Sequence, residues 1–202
     1  MAITSDGNLW GWGFNVAGQV GDGTTIDRLT PAFIMGDVMY VSAGGNHTMA
    51  IRTDGSLWGW GGDYWVDAEG NIGEGNLGQI GDGYTIPRHN PVWIMDDVIQ
   101  VSAGALHTMA IRADNSLWGW GSHNAGQIGD NTSTGPGLNP ARPAPRQIMD
   151  DVIAVSAGHF HTIAMTSDRS LWAWGWNDNG QLGDGTTISR NSPVRMILPP
   201  RS

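Results

Sequence analysis

Met49-Ala50-Ile51-Arg52-Thr53-Asp54-Gly55-Ser56-Leu57-Trp58-Gly59-Trp60 consists of two extended stretches joined by a dipeptide. Asp-Gly supplies the positive φ that a tight turn between two strands requires, so residues 49–60 are predicted to form a β-hairpin. On the second strand Trp58 and Trp60 stand two apart and share a face, while Leu57, Gly59 and Gly61 take the other. One face is bulky and the other nearly bare. A stack of similar sheets uses this arrangement, the indole face of one pressing on the glycine face of the next.

Outward from this hairpin the same unit is written four times. Leu-Trp-x-Trp-Gly occurs at 9–13, 57–61, 117–121 and 171–175, its first Trp advancing by 48, 60 and 54 residues. The two longer steps locate insertions near 62–75 and 131–144. Around the phrase the unit reads Val-Ser-Ala-Gly-x-x-His-Thr, the hairpin, Gly-Gln-x-Gly-Asp, and a Pro-containing return to Ile-Met. The chain thus divides into units at about 1–37, 38–97, 98–151 and 152–198 of a single repeat domain. Asp6-Gly7 repeats the turn signal, Asn115 tolerates the left-handed region, and Asp168-Arg169 fits the turn less well. No segment of helical length shows a 3.6-residue apolar period. Trp10, Trp12, Trp58, Trp60, Trp118, Trp120, Trp172 and Trp174 form a ladder taken as the main core. Each would contribute at most about 4–6 kcal/mol, from roughly 150–250 Å² of buried surface. Units of about 50 residues made of short strands indicate β-propeller blades, with a linear β-solenoid as the alternative.

Val-Ser-Ala-Gly-Gly-Asn-His-Thr-Met-Ala-Ile at 41–51, Asp-Gly-Ser-Leu-Trp-Gly-Trp-Gly at 54–61, and Asn-x-x-Gly-Gln-x-Gly-Asp-Gly-Thr-Thr at 15–25 and 177–187 resemble regulator of chromosome condensation repeats, most of all bacterial ones. The resemblance covers essentially the whole chain and implies an all-β, seven-bladed propeller. A ring of seven such units needs roughly 350 residues, whereas 202 residues hold about four. The first unit is truncated: Met1-Ala2-Ile3 aligns with Met49-Ala50-Ile51, so three Val-Ser-Ala-Gly-x-x-His-Thr segments serve four hairpins. A fragment of a longer ring, a homo-oligomer completing the ring and an open arc all fit, and exposed strand edges favour the first two.

Composition bounds the function. Zero Cys excludes disulfide scaffolds, thiolate metal sites and thiol catalysis, and leaves the compartment open. A formal net charge of −9 without a basic block argues against nucleic acid as a partner. No apolar run is long enough to span a membrane, and residues 1–10 do not read as a signal peptide. A secreted product would therefore carry its leader outside the sequence shown.

His47, His107 and His161 recur at one position and are expected to tie neighbouring segments together rather than bind metal, since neighbouring sheets lie about 10 Å apart. His159 with His161 lacks a third ligand. Gly-Trp-Gly lacks the third glycine of a dinucleotide fingerprint, because Val16, Tyr64 and Asn124 stand in its place. Asp22, Asp82 and Asp184 are expected in turns rather than calcium loops, and Arg28, Arg88 and Arg190 beside carboxylates or carbonyls. No catalytic constellation breaks the repeat, so neither an enzyme nor a cofactor is expected. Asymmetry resides in the insertions, where Tyr64, Trp65, Asp67 and Glu69 have the aromatic-plus-polar character of an interface. The leading expectation is a non-enzymatic scaffold whose loops engage another protein. Alternatives are a carbohydrate-binding module using Trp65, Trp93 or Trp176, and, from the resemblance, a regulator like the family's small-GTPase exchange factors or its β-lactamase inhibitors.

Overall fold

The computed structural model describes residues 1–66, 72–75, 77–132 and 141–198. Among the described residues, seventeen strands fall into four antiparallel sheets and one separate hairpin. The first sheet contains β1 (Ala2–Ile3), β2 (Leu9–Gly13) and β3 (Arg28–Met35). The second has β4 (Val38–Ala43), β5 (His47–Arg52), β6 (Leu57–Gly61) and, after the hairpin β7 (Asp63–Val66) and β8 (Ile72–Gly75), its fourth strand β9 (Arg88–Met95). The third runs β10 (Val98–Ala103), β11 (His107–Arg112), β12 (Leu117–Ser122) and β13 (Ala141–Met149). The fourth runs β14 (Val152–Ala157), β15 (His161–Thr166), β16 (Leu171–Gly175) and β17 (Arg190–Arg195). Each sheet is a meander and a propeller blade. Ser42 Oγ accepts the Ala103 amide at 3.0 Å, and Ser102 Oγ accepts the Ala157 amide at 2.9 Å, so the serines of the first two Val-Ser-Ala-Gly segments each link one innermost strand to the next.

Register and turn chemistry follow from the residues. Ala50 pairs with Trp58 and Thr48 with Trp60, and the same pairing recurs in the third and fourth sheets. Gly7 and Gly55 sit at φ +81° and +82°, Asn115 at +62° and Arg169 at +66°, so all four hairpin turns place a residue in the left-handed region. Only the last does so with a long branchless side chain, against a cost of about 1–2 kcal/mol.

The core lies between sheets. Met49, Ile51, Leu57 and Ile80 of the second blade meet Val98, Val101, Ala110 and Trp120 of the third, and homologous clusters fill the other two junctions. The tryptophan ladder splits into two kinds of position. Trp60, Trp120 and Trp174 are fully buried, whereas Trp58, Trp118 and Trp172 are half-buried. Trp58 and Trp118 donate to Ser56 and Ser116 of their own hairpin turns at 2.9 and 2.8 Å, and Trp172 donates to Thr166 at 3.2 Å. The glycine nearest each buried indole is a turn glycine of the preceding blade, Gly21, Gly81 or Gly129. Strand glycines Gly59 and Gly119 instead make room for the thioethers of Met49 and Met109. Among the described residues no helix is long and apolar enough to cross a membrane.

Candidate partner-binding face

Two recurring polar devices hold the loops of one end of the blades. In the first, His47 Nε2 lies 2.9 Å from Thr108 Oγ1 of the next blade, and His107 Nε2 lies 3.0 Å from Thr162 Oγ1. The imidazole therefore reaches a neighbouring side chain rather than a backbone segment. Thr108 Oγ1 spends its proton on Gln79 O at 2.8 Å, and Thr162 Oγ1 on Gln127 O at 2.8 Å. Each threonine must then accept from the ring, which fixes the Nε2–H tautomer. Trp120 and Trp174 Nε1 donate to those same carbonyls at 3.0 and 2.9 Å. Nδ1 of His47 and His107 is buried without a partner, so a second ring proton would have no acceptor. Burial accordingly lowers His47 to about 4; it lowers His107 to about 3, with the surrounding histidines adding to the effect. His161 is shifted the same way by burial.

The second device braces the connection between third and fourth strands. Asp184 accepts from Thr186 Oγ1 at 2.7 Å, the Thr186 amide at 2.9 Å and Arg190 Nε at 2.9 Å. The Thr186 hydroxyl, followed by Arg190, holds its carboxyl near 2 despite some desolvation. Asp22 with Thr24 and Arg28, and Asp82 with Arg88, repeat the arrangement. Asn15 and Asn177 anchor these loops by donating to the Asp and to loop carbonyls and accepting the Val20 and Leu182 amides at 2.9 Å. The third blade carries His123 in the Asn place. Its Nδ1 accepts the Ile128 amide at 3.3 Å, and its Nε2 stands 3.0 Å from Asp130 Oδ1. Asp130 also takes Arg142 Nε at 3.0 Å, the counterpart of Arg28 that the sequence hides because an insertion separates it from its aspartate. Among the described residues no group of three or more His, Asp or Glu is placed to hold a metal.

In a four-stranded meander the turn between strands one and two and the connection between strands three and four emerge at the same end. That end therefore collects the inner turns at 44–46, 104–106 and 158–160 and all four long connections. Both insertions belong to these connections. The first forms the β7–β8 hairpin, which pairs Tyr64 with Glu74 and Trp65 with Gly73. Tyr64 and Trp65 are on β7, and Asp67 and Glu69 lie outside the described residues, as do residues 133–140 of the second insertion.

Three further residues share this end. Ile26, Ile86 and Ile188 follow the braced aspartates at equivalent positions and are 67%, 51% and 59% exposed. Beside the inner turns lies a shallow hollow of about 290 Å³ floored by Gly44, Gly45, Gly104, Ala105 and Gly158 and edged by His159. His159, Phe160 and Trp176 form an edge-to-face run, with ring centroids 4.1 and 6.2 Å apart. Trp93 is exposed on β9, an outermost strand, and donates to Asp96 at 3.0 Å, so it is on a different blade and strand position from Trp176.

Models of the regulator of chromosome condensation repeat match residues 6–51, 71–111, 114–165 and 168–202. The Arabidopsis thaliana ultraviolet-B receptor UVR8 is 35% identical over 198 residues, spanning 95% of this chain and 42% of the receptor. The chain thus spans less than half of that relative. Human WBSCR16 superposes with a TM-score of 0.77 at 23% identity, over 98% of this chain and 50% of its own. Prp20p from Saccharomyces cerevisiae, solved in a study of its binding to Gsp1p and histones, gives 0.78 at 21%, over 97% of this chain and 48% of its own.

Proposed function

Because the chain belongs to the regulator of chromosome condensation repeat family, we propose that it is a non-enzymatic scaffold whose third-to-fourth-strand connections present a docking face to another protein. One observation carries the proposal. Both departures from the repeat, and the exposed isoleucines at 26, 86 and 188, fall at the same end of the blades. Apolar loop residues held by ion-paired aspartates give a partner a surface with little ordering entropy left to lose. Tyr64, Trp65, Asp67 and Glu69 would extend that surface from the β7–β8 insertion. The binding of Prp20p to Gsp1p and histones makes protein partners a reasonable class.

The test is a photo-crosslinking amino acid placed at 86 or 188, compared with 55 or 115 in the hairpin turns of the opposite end. A protein adduct from the first pair alone, abolished by Ile86→Asp with Ile188→Asp at an unchanged melting temperature, supports the docking face. Equal adducts from both ends, or from the hairpin turns alone, refute it. A glycan that shifts tryptophan emission while no protein crosslinks would transfer the role to carbohydrate binding.

A further inference from the structure

In the first, third and fourth blades one buried side chain, just past Gly13, Gly121 and Gly175, anchors the long connection, and in the third blade alone it is a histidine. Asn15 and Asn177 accept the Val20 and Leu182 amides at 2.9 Å through an amide oxygen, which does not titrate. His123 accepts the Ile128 amide at 3.3 Å through Nδ1, which does. Its Nε2 stands 3.0 Å from Asp130 Oδ1 but off the line of a hydrogen bond. The ring is therefore held by the bond that a second proton would remove, beside a carboxylate that a second proton would make more attractive.

Ile128 is fully buried, and the residues on either side of it tie the third blade to the fourth. Gln127 O accepts Thr162 Oγ1 and Trp174 Nε1 at 2.8 and 2.9 Å, and a Cβ on Gly129 would stand 2.6 Å from that indole nitrogen. Charged groups approach His123 from several elements. Asp130 belongs to its own connection, while Arg142 and Arg146 come from β13 and lie 3.0 and 3.5 Å from the same carboxylate. β11 contributes His107, close enough for the two rings to repel as cations. From the fourth blade come Trp174 on β16 and Arg190 on β17, whose carbonyl packs on Gly126 and whose guanidinium pairs with Asp184 at 2.8 Å. Burial lowers the His123 pKa from the ordinary 6.5, with Asp130 opposing the shift and Arg142 and Arg146 adding to it.

We propose that His123 is an acid-released latch on the junction between the third and fourth blades. A solvent proton taken up at Nδ1 sets two N–H groups head to head, the ring turns to give its Nε2–H to Asp130, and the Gln127–Gly129 segment loosens its hold on Thr162 and Trp174. Release sets in below pH 6.5, where an imidazole freed from the fold accepts a proton that the buried one resists. His107 ties the same junction through Thr162 and responds in the same direction, so two histidines act on one seam. The latch belongs to the fold and operates with or without a partner on the docking face.

Amide exchange followed by NMR between pH 7 and 5, corrected for the intrinsic pH dependence of exchange, tests the latch. Val20 and Leu182 are the references, because asparagines hold their amides. Protection of Ile128 relative to both should fall by about tenfold or more over this interval, and His123→Asn, which installs the anchor of the first and fourth blades, should remove a factor of about ten from that fall. No fall in the unaltered chain, or a fall of the same size in His123→Asn, overturns the proposal. If the variant folds poorly, the side-chain 15N shifts of His123 in the unaltered chain decide. A bare Nδ1 at pH 7 that gains its proton as Ile128 loses protection supports the latch; an Nδ1 already protonated at pH 7, or protonated with Ile128 unchanged, overturns it.

Discussion

Acidification should unfold this chain through its histidines well before its carboxylates respond. His47 and His107 ordinarily titrate near 6.5 and are held neutral in the fold to about 4 and about 3. The unfolded chain therefore takes up two protons that the fold refuses, and stability present above pH 6.5 is lost as pH falls from there toward those lower values. Each such proton gives a slope of about 1.4 kcal/mol per pH unit once well below 6.5. From pH 6.5 to 5 the pair should remove about 3 kcal/mol, or roughly 6–12 °C of melting temperature for a chain of this size. Asp168 and Asp184, held near 2 against an ordinary 3.8, lose their contribution only as pH drops through that lower interval. Urea unfolding between pH 4.5 and 7 isolates the imidazoles. His107→Gln retains a donor for Thr162 and removes one titrating group, so its slope should be flatter by about 1.4 kcal/mol per unit whatever its baseline stability. An unchanged slope in that variant would falsify the account of a ring fixed as the Nε2–H tautomer with a bare Nδ1.

Other substitutions separate packing from presentation. Trp120→Ala, at a fully buried indole, should cost about 3–5 kcal/mol in urea unfolding, whereas Tyr64→Ala with Trp65→Ala should leave the midpoint unchanged. Gly21→Ala combines φ +86° with a methyl driven into the Trp60 indole and should exceed Gly83→Ala in cost, since Gly83 at φ +88° has nothing within 4 Å. Comparable losses for the two would mean that the turn glycines serve conformation alone. Arg169→Gly relieves a left-handed residue and should raise stability by about 1 kcal/mol, measured as a shift in urea midpoint at constant slope.

The blades were legible because the decisive signals are local and repeated. Asp54-Gly55 specifies a turn within four residues, and two tryptophans two apart specify a face. What the sequence conceals is contact across distance. His47 meets Thr108 from 61 residues away, and no spacing within a unit announces that pairing. Arg28, Arg88 and Arg190 recur at one place in three units, which makes them visible, and each sits six residues after the aspartate it braces; Arg142 follows Asp130 by 12 because the insertion separates them in the sequence. Lengthening a loop costs only a logarithmic entropy, so the ion pair survives while the pattern disappears. His123 was obscured by replacing an asparagine with a group of different shape and similar bonding. Ile26, Ile86 and Ile188 went unnoticed because a loop has no period to mark an exposed apolar residue, although their recurrence after the aspartate was itself a signal.

The His–Thr, Thr–Gln and Ser–Ala ties each join one blade to its immediate neighbour and reach no further. A molecule bound only between neighbours loses order from its ends inward, like a one-dimensional lattice in which terminal units have one contact and interior units two. Amide hydrogen exchange should then be graded along the chain rather than uniform, fastest in the three-stranded first blade and slowest in β5, β6, β11 and β12. Each repeat added to the array would deepen the protection of its former terminus and leave the far end as it was.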